Sequence, residues 1–206
     1  NFEIETKSFH DNIIMIGLDE AGRGAMTSTQ MSRLRKTLFM LQYWDEFQAM
    51  LWREIDRHAK YCRKHGYKCA VRLNGTSDVR WEIKIWETMV YFHKWWDVYF
   101  YDYTKIANRK CKDIPNYHLT WSYSNANADY AKLLDKALEQ GMNAAVVFRS
   151  NFIQVKPKCW HTWKGYPVID GDQDDLRFLD PKGGHIVALY AKGEAKKDTS
   201  GFVQEV

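Results

Sequence analysis

The sequence predicts an α/β domain: a mainly parallel sheet of β-α units, open or wound into an incomplete (β/α) barrel, with helices at its N-terminal side. Three observations predict it. The chain has 206 residues, 45% of them hydrophobic, enough for one sizeable core. After Gly66 it turns into short β-rich runs that start every 20 to 30 residues, the period of a β-α unit. Most of the gaps between those runs carry apolar residues at helical spacing.

Thr27-Ser28-Thr29-Gln30 leads into Met31, Leu34, Leu38 and Leu41, apolar at three- and four-residue steps, which reads as an amphipathic helix. A second helix spans about Asp45 to His65, with Phe47, Leu51, Ile55, His58 and Cys62 on one stripe. Its acids come early and its bases late, and Gly66 stops it. The charge run Arg57 to Lys64 is therefore read as a dipole-matched, solvated helix end. Strands follow at Cys69 to Leu73, Val98 to Tyr101, His118 to Trp121 and Ala144 to Phe148, with helices over Glu82 to Lys94 and Asp129 to Gln140.

Pro167 to Ile169, Leu176 to Leu179 and Ile186 to Tyr190 read as three further short strands between Asp/Gly/Pro turns. Lys192 to Gly201, rich in Lys, Asp, Ser and Gly, reads as mobile. Residues 1–206 are taken as one domain: a helical region at about 27–66, a β-α region at about 67–192 and a tail at 193–206.

Lys and Arg number 30 against 26 Asp and Glu, a mixed surface that permits phosphate-bearing partners without implying a nucleic-acid arm. No apolar run approaches the ~20 residues of a membrane span and no charged-then-apolar leader opens the chain, so no membrane partner is expected and the protein should remain in the cytoplasm. Cys62, Cys69, Cys111 and Cys159 form no Cys-x-x-Cys pair, which favours reduced structural thiols. A metal shared by Cys159 and His161 is the lesser alternative. The nine tryptophans and twelve tyrosines are read as core packing ahead of base stacking.

Ligands of parallel α/β folds bind at the carboxyl ends of strands, where loops carry polar groups above an apolar sheet. Arg72, Asn74, Thr76, Ser77 and Asp78 follow the first strand, Asp102, Thr104 and Lys105 the second, Ser122 the third and Arg149 the fourth; the next segment adds Asp170, Asp172, Asp174, Asp175, Arg177 and Asp180, and the last strand ends in Lys192. Arg72, Asn74, Asp78, Asp102, Lys105, Ser122 and Arg149 are thus the candidate lining for a nucleotide or phosphorylated small molecule, with the cations facing phosphate. Asn74 to Asp78 is equally a turn, with Ser77 or Asp78 capping the helix near Trp81. Asp170, Asp172, Asp174 and Asp175 are the densest acid cluster; a divalent metal on Asp170 and Asp172 is the one cofactor it admits, though the spacing of a calcium loop is missing.

Gly17-Leu18-Asp19-Glu20-Ala21-Gly22-Arg23-Gly24 resembles the opening signature of type-two ribonuclease H, which implies a metal-dependent nuclease using Asp19 and Glu20. That family's downstream serine-lysine element and later aspartates have no counterpart here. A broader likeness runs through Ala21-Gly22-Arg23-Gly24, Val71-Arg72-Leu73-Asn74-Gly75-Thr76-Ser77-Asp78, Phe100-Tyr101-Asp102-Tyr103-Thr104-Lys105 with Asn108-Arg109, Asn116-Tyr117-His118-Leu119-Thr120, Val146-Val147-Phe148-Arg149 and Asp175 to Pro181. These blocks, in this order, resemble the gene-product-88 family of bacteriophage proteins from about Ala21 onward. The resemblance implies a phage origin and the cytoplasm of the infected host, and supplies no catalytic residues. Relatives often carry thiols four residues apart just before the Ala-Gly-Arg-Gly block, reminiscent of iron-sulfur ligands. Ile13 and Gly17 stand there in this chain, so no iron-sulfur cluster is expected. A non-enzymatic phage protein binding a host protein or nucleic acid, through the basic helix and Lys196-Lys197, is the alternative function.

Overall fold

A computed structural model describes residues 27–75, 77–151, 153 and 162–206. Two helices come first, α1 (Thr27–Gln42) and α2 (Trp44–His65), and pack on each other. Helix α2 ends where its glycine dictates: Gly66 sits at φ 69°, in the left-handed region that costs a glycine nothing. That turn folds the chain back so that Tyr67 N donates to Cys62 O at 2.9 Å, and β1 (Cys69–Val71) starts beside the last turns of α2.

Strands β2 (Val98–Thr104), β3 (Tyr117–Ser122) and β4 (Asn143–Phe148) follow, and β1 to β4 pair in sequence order, all parallel. The helical run before β2 is split into α3 (Trp81–Lys84) and α4 (Trp86–Trp96), because Ile85 at φ −141° leaves the helical region. The run before β4 is split likewise into α5 (Ala128–Ala131), capped by the Asn127 side chain, and α6 (Leu134–Glu139). Beyond β4 the sheet continues with β7 (Ile186–Tyr190) and β6 (Tyr166–Asp170), both parallel, and ends in the β5 (Thr162–Trp163)–β6 hairpin. Among the described strands the order β1-β2-β3-β4-β7-β6-β5 is an open path, the open sheet of the two expected forms.

Burial alternates strictly along β2: Val98, Phe100, Asp102 and Thr104 are buried, while Tyr99, Tyr101 and Tyr103 are half-buried. Val98 and Phe100 join Met89, Phe92, Ile55 and Ala59 in the core beneath α2 and α4. On the opposite face Phe178 stacks on Tyr99 with ring centroids 5.4 Å apart. Phe178 belongs to a 3₁₀ turn, Arg177–Leu179, where the sequence predicts a short strand over Leu176 to Leu179. Its backbone closes i to i+3, and it pairs with no strand.

Strand β8 (Val203–Gln204) was not anticipated from its two residues, and it pairs with the second half of β4. The first half of β4 pairs with β3 on that same edge, so β3 and β4 diverge at their carboxyl ends and β8 fills the gap. The segment 192–201, read as mobile, forms a 3₁₀ turn (Gly193–Lys197), and Gly201 O accepts Asn125 N at 2.8 Å.

Candidate functional site

Because β1 to β4 are mutually parallel, Arg72, Lys105, Ser122 and Arg149 all come at the carboxyl edge of the sheet, with Asp102 two residues deeper in β2. What each side chain meets there differs.

Asn74, Asp78 and Asp102 turn inward and join a buried network. Asp102 is fully buried and accepts from Asn74 N at 2.6 Å, Asn74 Nδ2 at 3.4 Å and Tyr117 Oη at 2.8 Å. Asn74 Oδ1 in turn accepts from Ser77 Oγ, Val79 N and Trp81 Nε1. Asp78 takes Thr104 Oγ1 at 2.7 Å and Lys105 N at 2.6 Å. Neither Ser77 nor Asp78 caps α3: Arg80 holds the N-cap position and no side chain bonds there. Arg109, fully buried, knits the group together by reaching Glu82, Asp78, Val79 O and Tyr117 Oη. The 74–82 loop is thereby fastened to the end of β2.

Burial pushes the Asp102 carboxyl from 3.8 up to about 7, against the pull of the Asn74 amide, the Tyr117 hydroxyl and Arg109. A carboxyl raised on folding stabilises fully below its unfolded value, and that contribution is lost as the pH rises through its folded value. The protein should therefore resist urea better at about pH 5 than at about pH 8, and Asp102→Asn should flatten that difference. Equal midpoints for the parent at the two pH values would argue against a raised Asp102.

Lys105 is mostly enclosed. Its Nζ donates to Ser122 O at 3.2 Å and lies 5.6 Å from the Tyr130 ring centroid and 5.4 Å from that of Phe202. Burial lowers its pKa to about 8, opposed by Asp78. Ser122 thus contributes its carbonyl to this corner, which also accepts Tyr130 Oη at 2.7 Å. Arg72 pairs with Asp175 at 3.1 Å and lies over the Tyr103 ring, and Tyr103 Oη donates to the same carboxylate at 2.9 Å. Arg149 stands apart from this group and grips the tail: it reaches Glu205 at 2.6 Å, Lys196 O at 2.6 Å and Asp198 O at 2.8 Å.

Asp172 spends both oxygens, on Tyr190 N and on Lys192 Nζ, each at 2.7 Å. Asp170 accepts Asp172 N at 3.0 Å, and with Gly171 between them the three residues clamp β6 to β7. Beside this clamp opens a cavity of about 410 Å³. Asp170, Gln173, Asp174, Arg177 and Asp180 give it polar walls, and Ile153, Val168 and Leu179 give it apolar ones.

Arg177 is 2% exposed and its Nη2 donates to Gly171 O and Asp174 O, but its Nε and Nη1 have no hydrogen-bond partner among the described residues. Nη1 lies 3.2 Å from Asp180 Oδ2 without forming an aligned hydrogen bond, and that oxygen also lacks a partner there. Burial raises the Asp180 carboxyl, and Arg177 pulls it back. The sequence reading puts Asp174, Arg177 and Asp180 at the strand-end rim but outside the seven-residue candidate lining. Their signal was Asp174-x-x-Arg177-x-x-Asp180, the three-residue spacing that a 3₁₀ turn stacks on one side. Thr76, Asp19, Glu20, Cys159 and His161 lie outside the described residues.

The family model for Gene product 88 matches residues 18–206. The chain belongs to the Gene product 88 family. This is the bacteriophage family that the ordered blocks resemble, and the match takes in every described element of the fold. No curated protein and no solved structure matches this Gene product 88 chain.

Proposed function

We propose that this Gene product 88 protein binds a small anionic ligand of nucleotide type, seated in the Arg177 cavity beside the carboxyl ends of the strands. The observation that carries the reading is the buried Arg177 guanidinium in the wall of a cavity of about 410 Å³, with Nε and Nη1 lacking a hydrogen-bond partner among the described residues. Unpaired buried donors are costly, and a planar fork matches the oxygens of a phosphate or carboxylate. The volume falls in the ~300–1,000 Å³ range of small-ligand sites.

Charge narrows the ligand further. Asp170, Asp174 and Asp180 share the cavity wall, so a bare anion would meet net repulsion. A ligand that joins an anionic group to amino and hydroxyl donors satisfies both, and nucleotides and phosphorylated metabolites are built that way. Arg72, ion-paired with Asp175, and Lys105 stand at the same sheet edge. Asn74, Asp78 and Asp102 serve in this reading as the frame that fixes those loops. No helix among the described residues is long and apolar enough to cross a membrane, and the host cytoplasm holds ligands of this class.

A thermal-shift series with nucleotides, ribose phosphates and inorganic phosphate tests the reading. A ligand held at 100 times its Kd stabilises by about 2.7 kcal/mol, a shift of several degrees. At least one nucleotide should produce it in the parent, and Arg177→Met or Asp180→Asn should remove most of it in chains whose circular dichroism stays native. Arg72→Ala with Lys105→Ala should weaken it less. Failure of every compound to stabilise the parent, or a shift that survives Arg177→Met and Asp180→Asn alike, would overturn the proposal.

A further inference from the structure

We infer that His58, Cys62 and Cys69 form a binding site for a thiophilic cation of the zinc type, separate from the Arg177 cavity. Their ligand atoms all lie within 4.8 Å of one another. Around a tetrahedral zinc, sulfurs at about 2.3 Å and nitrogens at about 2.0–2.1 Å stand roughly 3.5–3.8 Å apart. Cys62 Sγ is already 3.7 Å from Nε2 and 3.9 Å from Nδ1 of His58, so the remaining closure is about 1.3 Å or less and within the reach of side-chain rotation.

The fold explains why these residues meet although the cysteine spacing shows no metal motif. His58 and Cys62 are one helical repeat apart on α2, which puts them on one face. The Gly66 turn then reverses the chain and brings Cys69, the first residue of β1, against that face. Cys62 and Cys69 are buried while His58 is exposed, an arrangement with two anchored thiols, an imidazole gate and a path for the ion. One tetrahedral position is left for solvent.

Thiolate and imidazole together select zinc or cuprous ions over magnesium and calcium, which prefer oxygen. The thiolate is the ligand form, so an incoming ion displaces the thiol protons. Cys111 supplies the contrast. It is buried, its thiol meets the Gln140 carbonyl at 3.8 Å, and it joins no cluster of metal-ligating groups among the described residues. A bound ion would staple the end of α2 to the edge strand, across a loop of a few residues, and so bear on stability and on the position of the basic helix end.

The test uses the full chain, purified under reducing conditions and stripped with a chelator, then titrated with cobalt(II) and back-titrated with zinc. The expected result is one ion per chain, with a sulfur-to-cobalt charge-transfer band that zinc abolishes and a higher melting temperature in zinc. Cys62→Ser and Cys69→Ser should each lose the band, whereas Cys111→Ser should keep it. His58→Ala changes an exposed side chain and spares the fold; it should weaken cobalt binding by at least about tenfold, the scale on which even outer-shell partners act. Absence of the band at saturating cobalt, its survival in Cys62→Ser, or unchanged affinity in His58→Ala would each overturn the assignment. If a serine variant loses native circular dichroism, the His58→Ala result decides.

Discussion

Arg109→Ala is expected to destabilise the protein by about 3–5 kcal/mol, the cost of leaving buried charge without its partner. Arg109 has no exposed surface, and its guanidinium holds Glu82 through two nitrogens and Asp78 through a third at 3.1 Å. Removing it strands the buried Glu82 carboxylate, deprives Asp78 of its counter-ion and takes a donor from Tyr117 Oη and from Val79 O. By comparison, truncating a large apolar side chain such as Leu or Met in a core costs about 2–5 kcal/mol. A polar residue is thus worth as much here as a core hydrophobe.

Urea denaturation followed by fluorescence would read the loss as a lower midpoint with a similar slope. Arg109→Lys keeps the charge but cannot span both Glu82 oxygens and should recover only part of the stability. Adding Glu82→Leu to Arg109→Met should restore some of what Arg109→Met loses, because the stranded carboxylate goes with its partner. If Arg109→Ala unfolded at the parent's urea concentration, the network would not be holding the 74–82 loop to the sheet.

Gly171→Ala ranks second, at about 1–3 kcal/mol through overpacking. A methyl group built there would lie 2.5 Å from Val187 Cγ1, 2.8 Å from Leu189 Cδ2 and 2.9 Å from Ala188 O. The last of these is backbone, in a strand whose Gly171 N···O Ala188 bond is 2.8 Å, so the neighbour cannot rotate aside. The cost is one of space, since Gly171 has no positive φ. Gly75 offers a control: a methyl group there meets nothing within 4 Å among the described residues, and its φ is also ordinary. Gly75→Ala should be neutral or gain up to about 1 kcal/mol by restricting the unfolded chain. Melting curves of the two variants would separate them, and a Gly171→Ala chain as stable as the parent would mean that β6 and β7 yield more easily than their packing indicates.

Much of the architecture was legible because its signals are local. The stripe on α2, the stop at Gly66 and the starts of β1 to β4 follow from side-chain period and one backbone preference, and they fall within a residue or two of expectation. Leu176 to Leu179 misled because it is a short apolar-rich run between Asp/Gly/Pro turns, while the chain uses every third residue to stack Asp174, Arg177 and Asp180. Strand β8 is too short to carry a period at all. For the site, the strand order put Arg72, Lys105, Ser122 and Arg149 at one edge, as read. Which of them face inward depends on partners distant in sequence: Asn74 meets Asp102, Arg109 meets Glu82, and Arg149 meets residues some fifty positions later. No window of sequence contains both members of such a pair.

The wedge of β8 between β3 and β4 sets an order of events during synthesis. Strand β4 lies mid-sheet, yet one stretch of its edge is completed only by Val203 and Gln204, with Arg149 N donating to Gln204 O at 2.9 Å. While a ribosome still shelters those residues, the amides and carbonyls around Val147 to Arg149 have no strand on that side, and an open β edge is a template for pairing with another chain. Because Arg149 binds Lys196 O and Asp198 O, the arginine beside the gap is also the latch that draws its filler in. Weakening that latch should show first as aggregation of newly made protein, before any loss in the melting temperature of molecules that have already closed.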